Sequence, residues 1–120
     1  MNKTTICFDL DGVICEQTKG DYQNASCKRH VVSAINDLYD NGFRIIIYTS
    51  RYMGRSDEDI IKSYKAGYNF TLNQLNDWNL KFHELFLGKP RYDILVDDKS
   101  IFYNDDWMKE FPINSNDQVS

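Results

Sequence analysis

Two aspartates, Asp9 and Asp11, stand two positions apart at the end of a short apolar run, and Gly12 follows directly. On a continuing strand they would share a face, and carboxylates that close repel each other. A divalent cation between them removes that cost. A second acidic pair, Asp97 and Asp98, ends another apolar run and adds oxygen ligands. A hard-oxygen set without His or Cys points to Mg²⁺ rather than zinc. Thr49 offers a hydroxyl donor and Lys89 a point cation, both suited to a phosphoryl oxygen. Gly12 lets the backbone turn sharply and come close to a ligand. Ser50 and Arg51 follow Thr49 and are candidate substrate contacts, although Arg51 suits a surface ion pair equally well. Taken alone, Asp-x-Asp-Gly is also an ordinary turn sequence.

These residues must be positioned by the elements before them. Residues 4–8, 43–48, 83–87 and 92–96 are short apolar runs, read as strands covered on both faces, as in a parallel sheet. Between them, Val31, Ala34, Ile35, Leu38 and Tyr39 recur at helical spacing over 29–41, and Gly42 supplies a stop. Ser56 is a candidate N-cap for a helix that Gly67 ends, and Thr71 for another with Leu72, Leu75 and Leu80 inside. A short helix follows Asn104, and 114–120 read as a frayed tail. The alternation predicts one α/β domain over 1–120, with a mainly parallel sheet flanked by helices. In such sheets the ligand site lies beyond the carboxyl ends of the strands. All four candidate strands end there in charged or hydroxyl residues.

Composition narrows the function. The chain of 120 residues has 14 basic and 18 acidic residues, net −4, which argues against nucleic acid as partner. Cys7, Cys15 and Cys27 are odd in number and form no Cys-x-x-Cys pair, so neither a disulfide framework nor zinc is expected. Asp9 and Asp11 interrupt the first apolar run, unlike a signal peptide, and the run at 45–48 is far too short for a bilayer. A soluble, cytoplasmic protein is expected, with no membrane partner. His30, His83, Trp78 and Trp107 are read as structural. The run Gly88-Lys89-Pro90 lacks the spacing of a nucleotide P-loop.

With these residues in view, the chain resembles the haloacid dehalogenase superfamily over about residues 4 to 100. Residues 8–13, Phe-Asp-Leu-Asp-Gly-Val, are similar to its first motif, Thr49 to its second, Lys89 to its third and Asp97-Asp98 to its fourth. The resemblance implies a single Rossmann-like domain and a phosphatase for a small phosphorylated metabolite, such as a sugar or polyol phosphate. By the same resemblance Asp9 is the nucleophile and forms an aspartyl-phosphate, and Asp11 is the acid/base. Thr49 and Lys89 hold the transferring group, and Mg²⁺ sits among Asp9, Asp11 and Asp97, with Asp97 favoured over Asp98. The spacings leave no room for a full cap domain, so the chain looks like a small capless member of the kind met near sugar and capsule biosynthesis genes. Two readings compete. One is a phosphatase for a macromolecular phosphate; the other is a non-catalytic, phosphoryl-responsive module, which the presence of Asp11 disfavours. Oligomeric state is left open.

Without a cap, selectivity must come from segments that start beside the motifs. The loop from Cys15 to Lys28 and the stretch from Arg51 through Tyr52 and Arg55 meet that condition. Arg51 and Arg55 suit an anionic or hydroxyl-rich substrate, and Tyr22 or Tyr52 a sugar face. Both segments could equally be solvated loops.

Overall fold

The computed structural model describes residues 4–111. Three strands, β1 (Thr5–Phe8), β2 (Arg44–Thr49) and β3 (Glu84–Leu87), form one parallel sheet in the order β1-β2-β3. Two helices make the crossovers, α1 (Arg29–Asp40) from β1 to β2 and α2 (Ile60–Asp77) from β2 to β3. The register pairs Phe8 with Ile47 and Ile47 with Leu85. This is a small α/β domain consistent with a Rossmann-like architecture. Among the described residues no helix is long and apolar enough to cross a membrane.

The sheet is not covered equally on its two faces, as continuous apolar runs had suggested. Phe8, Ile45, Ile47, Leu85 and Leu87 are buried on one face, with Val31, Val32, Ile35 and Leu38 of α1 in the same core. On the other face Cys7 and Phe86 are exposed and Ile46 and Tyr48 half-buried. Strand alternation therefore operates here as in a one-sided sheet. Trp107, in the 3-10 turn Trp107–Glu110, meets the Phe8 ring edge-on at 5.4 Å and closes one end of the core. This turn occupies the place where a short helix was expected. His83 has a structural role: its Nδ1 accepts from the Ile45 N–H at 3.0 Å, and its ring stacks on Tyr39.

The expected fourth strand does not form. Residues 92–96 lie outside the sheet, with Ile94 and Val96 81% and 93% exposed. The anchors just before them account for this path. The Lys89 N–H donates to the Thr49 carbonyl, Ser50 Oγ to the Pro90 carbonyl, and Arg91 pairs with Glu58 at 2.8 Å. These contacts tie residues 89–91 to the end of β2 and to the approach to α2. They lead the chain away from β1, which among the described residues pairs only with β2. The expected frayed tail, 114–120, lies outside the described residues.

α2 also departs from expectation. Its N-cap is Asp59, whose carboxylate accepts from the Lys62 N–H, rather than Ser56. It then runs as one helix past both Gly67 and Thr71. Gly67 is no stop because its missing side chain is needed: a Cβ there would fall inside the edge of the Tyr52 ring. Tyr52 has φ +69°, a left-handed conformation that costs a non-glycine residue about 1–2 kcal/mol. Its ring lies between Gly67 and Tyr22, whose centroid is 4.9 Å away. A Gly67→Ala change gains about 1 kcal/mol of helix propensity. Overpacking against a rigid ring costs about 1–3 kcal/mol and should win. Urea unfolding of Gly67→Ala is therefore expected to show a net loss of about 1 kcal/mol; a gain would mean that the Tyr52 ring yields freely.

Candidate active site

The loop after β1 is built around Leu10, which is fully buried. Its carbonyl accepts from the Ile14 N–H at 2.8 Å, and the Gly12 N–H returns to the Cys15 carbonyl at 2.7 Å. Gly12, at φ +94°, makes this reversal possible. Its N–H turns into the loop, its carbonyl accepts from Lys28 Nζ, and it is not among the residues lining the cavity, so Gly12 shapes the turn. The tight turn leaves Asp9 and Asp11 projecting at the carboxyl end of the sheet.

Asp9 Oδ1 accepts from the Leu10 N–H at 2.9 Å and lies 3.4 Å from Lys89 Nζ. Burial pushes the Asp9 carboxyl above its usual value, and the Lys89 charge and the Leu10 N–H oppose that rise. Burial pushes the Lys89 ammonium down, but the Asp9 charge and contact with Tyr92 more than offset it, so the net direction is up. Thr49 is buried at the end of β2, where its Oγ1 accepts from the Arg51 N–H. That leaves the hydroxyl hydrogen for another acceptor.

Arg51 differs most from the sequence reading. Its side chain is fully buried, and its guanidinium holds Asp11 with two bonds of 2.9 Å, Nε to Oδ2 and Nη2 to Oδ1. Its Nη1 donates to Gln74 Oε1 at 2.7 Å, and its plane lies 4.6 Å from the Tyr22 ring centre. Gln74 Nε2 donates in turn to the Tyr22 carbonyl. Arg51 therefore orients Asp11 and is no surface ion pair. Arg51 also lines the cavity. The Cys15 thiol also donates to Asp11 Oδ1. Burial pushes that thiol up to about 12, with the Asp11 charge adding to the rise, so it stays a protonated donor. Sequence reasoning missed Gln74 and Cys15. The available signal for Gln74 was a polar residue among Thr71, Leu72 and Leu75 on the inner face of a helix.

These groups open into a cavity of about 650 Å³ lined by Asp9, Asp11, Thr49, Ser50, Arg51 and Lys89, with Gln17, Lys19, Tyr22, Arg55, Arg91 and Tyr92 around them. Five cations face two carboxylates there, in a chain of net charge −4. The structure thus brings Asp9, Asp11, Thr49, Ser50, Arg51 and Lys89 together.

Asp97 does not join them. It is exposed, its Oδ1 accepts from the Lys99 N–H, and it lies off the cavity wall, as does Asp98. The reason is the displaced 92–96 segment that carries it. A divalent cation held by Asp9, Asp11 and Asp97 does not fit these residues as placed. Both Asp11 oxygens are engaged by Arg51, its carbonyl accepts from Gln17, and Asp9 Oδ1 is taken up by the Leu10 N–H and Lys89, leaving Asp9 Oδ2 as the open oxygen. Among the described residues no group of three acidic, His or Cys side chains could hold a metal ion.

No protein-family model matches the chain. No curated protein matches it either. Solved structures do. The crystal structure of a structural-genomics target from Vibrio cholerae is 21% identical with a TM-score of 0.77, covering 89% of this chain and 94% of that one. A chain in the structure of a Pnkp1/Rnl/Hen1 complex is 16% identical with a TM-score of 0.53, covering 90% of this chain. This chain spans 32% of the length of that one. The fold is shared. At these identities nothing beyond the fold follows.

The Arg51–Asp11 pair makes a measurable prediction. Removing one partner of a buried pair strands the other charge, at a cost of about 3 kcal/mol. Arg51→Met should lose about that much in urea unfolding. Adding Asp11→Asn should recover a good part of it, giving a double-mutant coupling well above 0.5 kcal/mol. Additive losses would mean that the pair does not act as a unit.

Proposed function

We propose that the chain is a phosphatase of the haloacid dehalogenase type, acting on a small phosphate monoester such as a sugar or polyol phosphate. The observation that carries this reading is the convergence at one sheet edge of the Asp9 carboxylate, Lys89 3.4 Å from it, the Thr49 hydroxyl, and Asp11 clamped by Arg51. In the first step an Asp9 oxygen attacks phosphorus. The bond from phosphorus to the leaving oxygen breaks, and that oxygen takes its electron pair and a proton from Asp11, which for this must enter the step protonated, with one of its two Arg51 bonds released. In the second step Asp11 takes a proton from water, whose oxygen attacks phosphorus and releases Asp9 as carboxylate with inorganic phosphate. Lys89 and Thr49 offset the charge on the phosphoryl oxygens. Phosphoryl transfer depends mainly on positioning and charge, and this site supplies both.

Mg²⁺ belongs to this proposal through the sequence resemblance and the oxygen-rich donors. Its site requires Asp97 at the cavity, so no step is routed through it here. Calorimetric titration of Mg²⁺ into wild type and Asp97→Asn tests the resemblance against the placement: with Asp97 off the cavity wall the two proteins should not differ, and binding only in the wild type would mean that Asp97 reaches the cavity. Equal binding would remove Asp97 from the ligand set.

A macromolecular phosphate is the second reading, favoured by the wide cavity and by the fold shared with a chain of the Pnkp1/Rnl/Hen1 complex. The net acidic charge weighs against nucleic acid.

Turnover of an aryl phosphate tests the proposal directly. Asp9→Asn keeps the shape of the side chain but cannot attack, so activity should vanish while the fold persists. Undiminished turnover would overturn the assignment. The pH profile supplies a second check. The nucleophile must be ionised, so kcat/KM falls as pH drops through the Asp9 pKa, which burial places above the usual aspartate value. Lys89→Met removes the main influence that lowers it. The acid limb should then move to higher pH, with a loss in maximal rate of about 10²–10³-fold, as for removal of one oxyanion donor. An unmoved limb would mean that another group titrates.

A further inference from the structure

The cations that line the cavity differ in how they are paired. Lys89 is matched by Asp9, Arg51 by Asp11 and Arg91 by Glu58. Two lining cations remain without a carboxylate among the described residues, Lys19 and Arg55. Arg55 is held in place by neutral groups. Its Nη2 donates to the Gly20 carbonyl at 2.7 Å, and its guanidinium lies 5.2 Å from the Tyr22 ring centre and 4.9 Å from that of Tyr52. A guanidinium has five N–H donors, so one backbone bond leaves most of its capacity open. Lys19, at φ +56°, directly precedes the Gly20 that Arg55 bonds, and it lines the same cavity. Arg55 lies against the aromatic pair Tyr22–Tyr52, and the two cations stand on the two segments that begin beside the first and second motifs.

An excess of positive charge in a cavity of an acidic chain is informative because low-dielectric walls focus the field of such groups. One phosphoryl group needs the Lys89 end alone. We propose, resting on the phosphatase reading, that the leaving group carries a second anionic group, a carboxylate or a second phosphate, held by Arg55 and Lys19. Its carbon skeleton lies between them and the phosphoryl site, against Tyr22. The substrate class is therefore a phosphorylated sugar acid or a sugar bisphosphate rather than a neutral sugar phosphate. Both sources share an anion at the far end and differ in its geometry and charge.

The experiment compares kcat/KM for four substrates: an aryl phosphate, a neutral hexose phosphate, a hexose bisphosphate and a phosphorylated hexonic acid. Wild type is expected to prefer at least one of the last two over the neutral hexose phosphate by about tenfold or more, the scale of one charge-assisted contact. A preference for the bisphosphate assigns the second anion as phosphate, and a preference for the acid assigns it as carboxylate. Arg55→Gln and Lys19→Gln should each shrink that preference about tenfold, mainly through KM. Lys65→Gln, exposed on α2 and away from the cavity, should leave it intact. Aryl phosphate turnover with no preference among the hexose substrates, or a preference that survives both substitutions, overturns the second-anion site and leaves the phosphatase reading standing. Absence of turnover on every substrate overturns both.

Discussion

The buried ion pair between Arg51 and Asp11 is the contact on which the rest of the site depends. Arg51 leaves the end of β2, Asp11 the loop after β1, and Gln74 rises from α2 to meet the same guanidinium. Three segments distant in sequence are thereby fixed to one planar group. A buried ion pair is poor support for stability as such, because desolvation of both charges offsets most of their attraction. What it supplies is position. The rigid fork of a guanidinium sets both oxygens of a carboxylate at once, which a lysine could not do. Lys89 has the complementary task, a mobile point charge against the open carboxylate of Asp9.

The same pair links the site to the packing beneath it. The Arg51 plane lies against Tyr22, Tyr22 against Tyr52, and Tyr52 against Gly67 in the middle of α2. A glycine that weakens a helix by about 1 kcal/mol is tolerated because it admits this ring. The left-handed backbone at Tyr52 is held by the same contacts. Strain of that sort persists only where surroundings over-determine it, and it tends to collect at functional loops. The stack also reaches Arg55, so the second cation of the cavity is positioned by the same chain of rings as the first.

Much of this was legible in the sequence where local pattern and tertiary packing agree. Asp9, Thr49 and Lys89 end apolar runs, and the three strands beneath them pair in parallel, so their meeting at one rim follows from strand direction alone. The α1 stripe was equally plain. Two misreadings share a cause. Gly67 was read as a stop, and a surface ion pair was weighed for Arg51, because local propensity assigns those roles, whereas each is set by a partner far away in sequence: Tyr52 for the glycine, and Asp11 with Gln74 for the arginine. The run at 92–96 failed differently. Its β-branched, apolar composition fits a strand, but an apolar run becomes a strand only when an edge receives it. Here contacts of residues 89–91 with β2 and Glu58 lead it elsewhere.

That displacement bears on the chemistry through charge. With Asp97 away, the cavity has five cations and two carboxylates, a balance suited to taking up an anion with several charges. A third carboxylate beside Asp9 would raise repulsion among the acids unless a divalent cation came with it. On the proposed reading, the arrival of Asp97 and the binding of a divalent cation would be coupled by electrostatics: each would make the other less costly. The apolar run that precedes Asp97 adds a second coupling. Ile94 and Val96 are exposed here, and burying such side chains is worth about 1.5–3 kcal/mol each. Among the described residues β1 pairs only with β2, so its other edge, directly before Asp9, offers backbone partners such a run needs. On the proposed reading, metal binding and strand addition by 92–96 would favour each other.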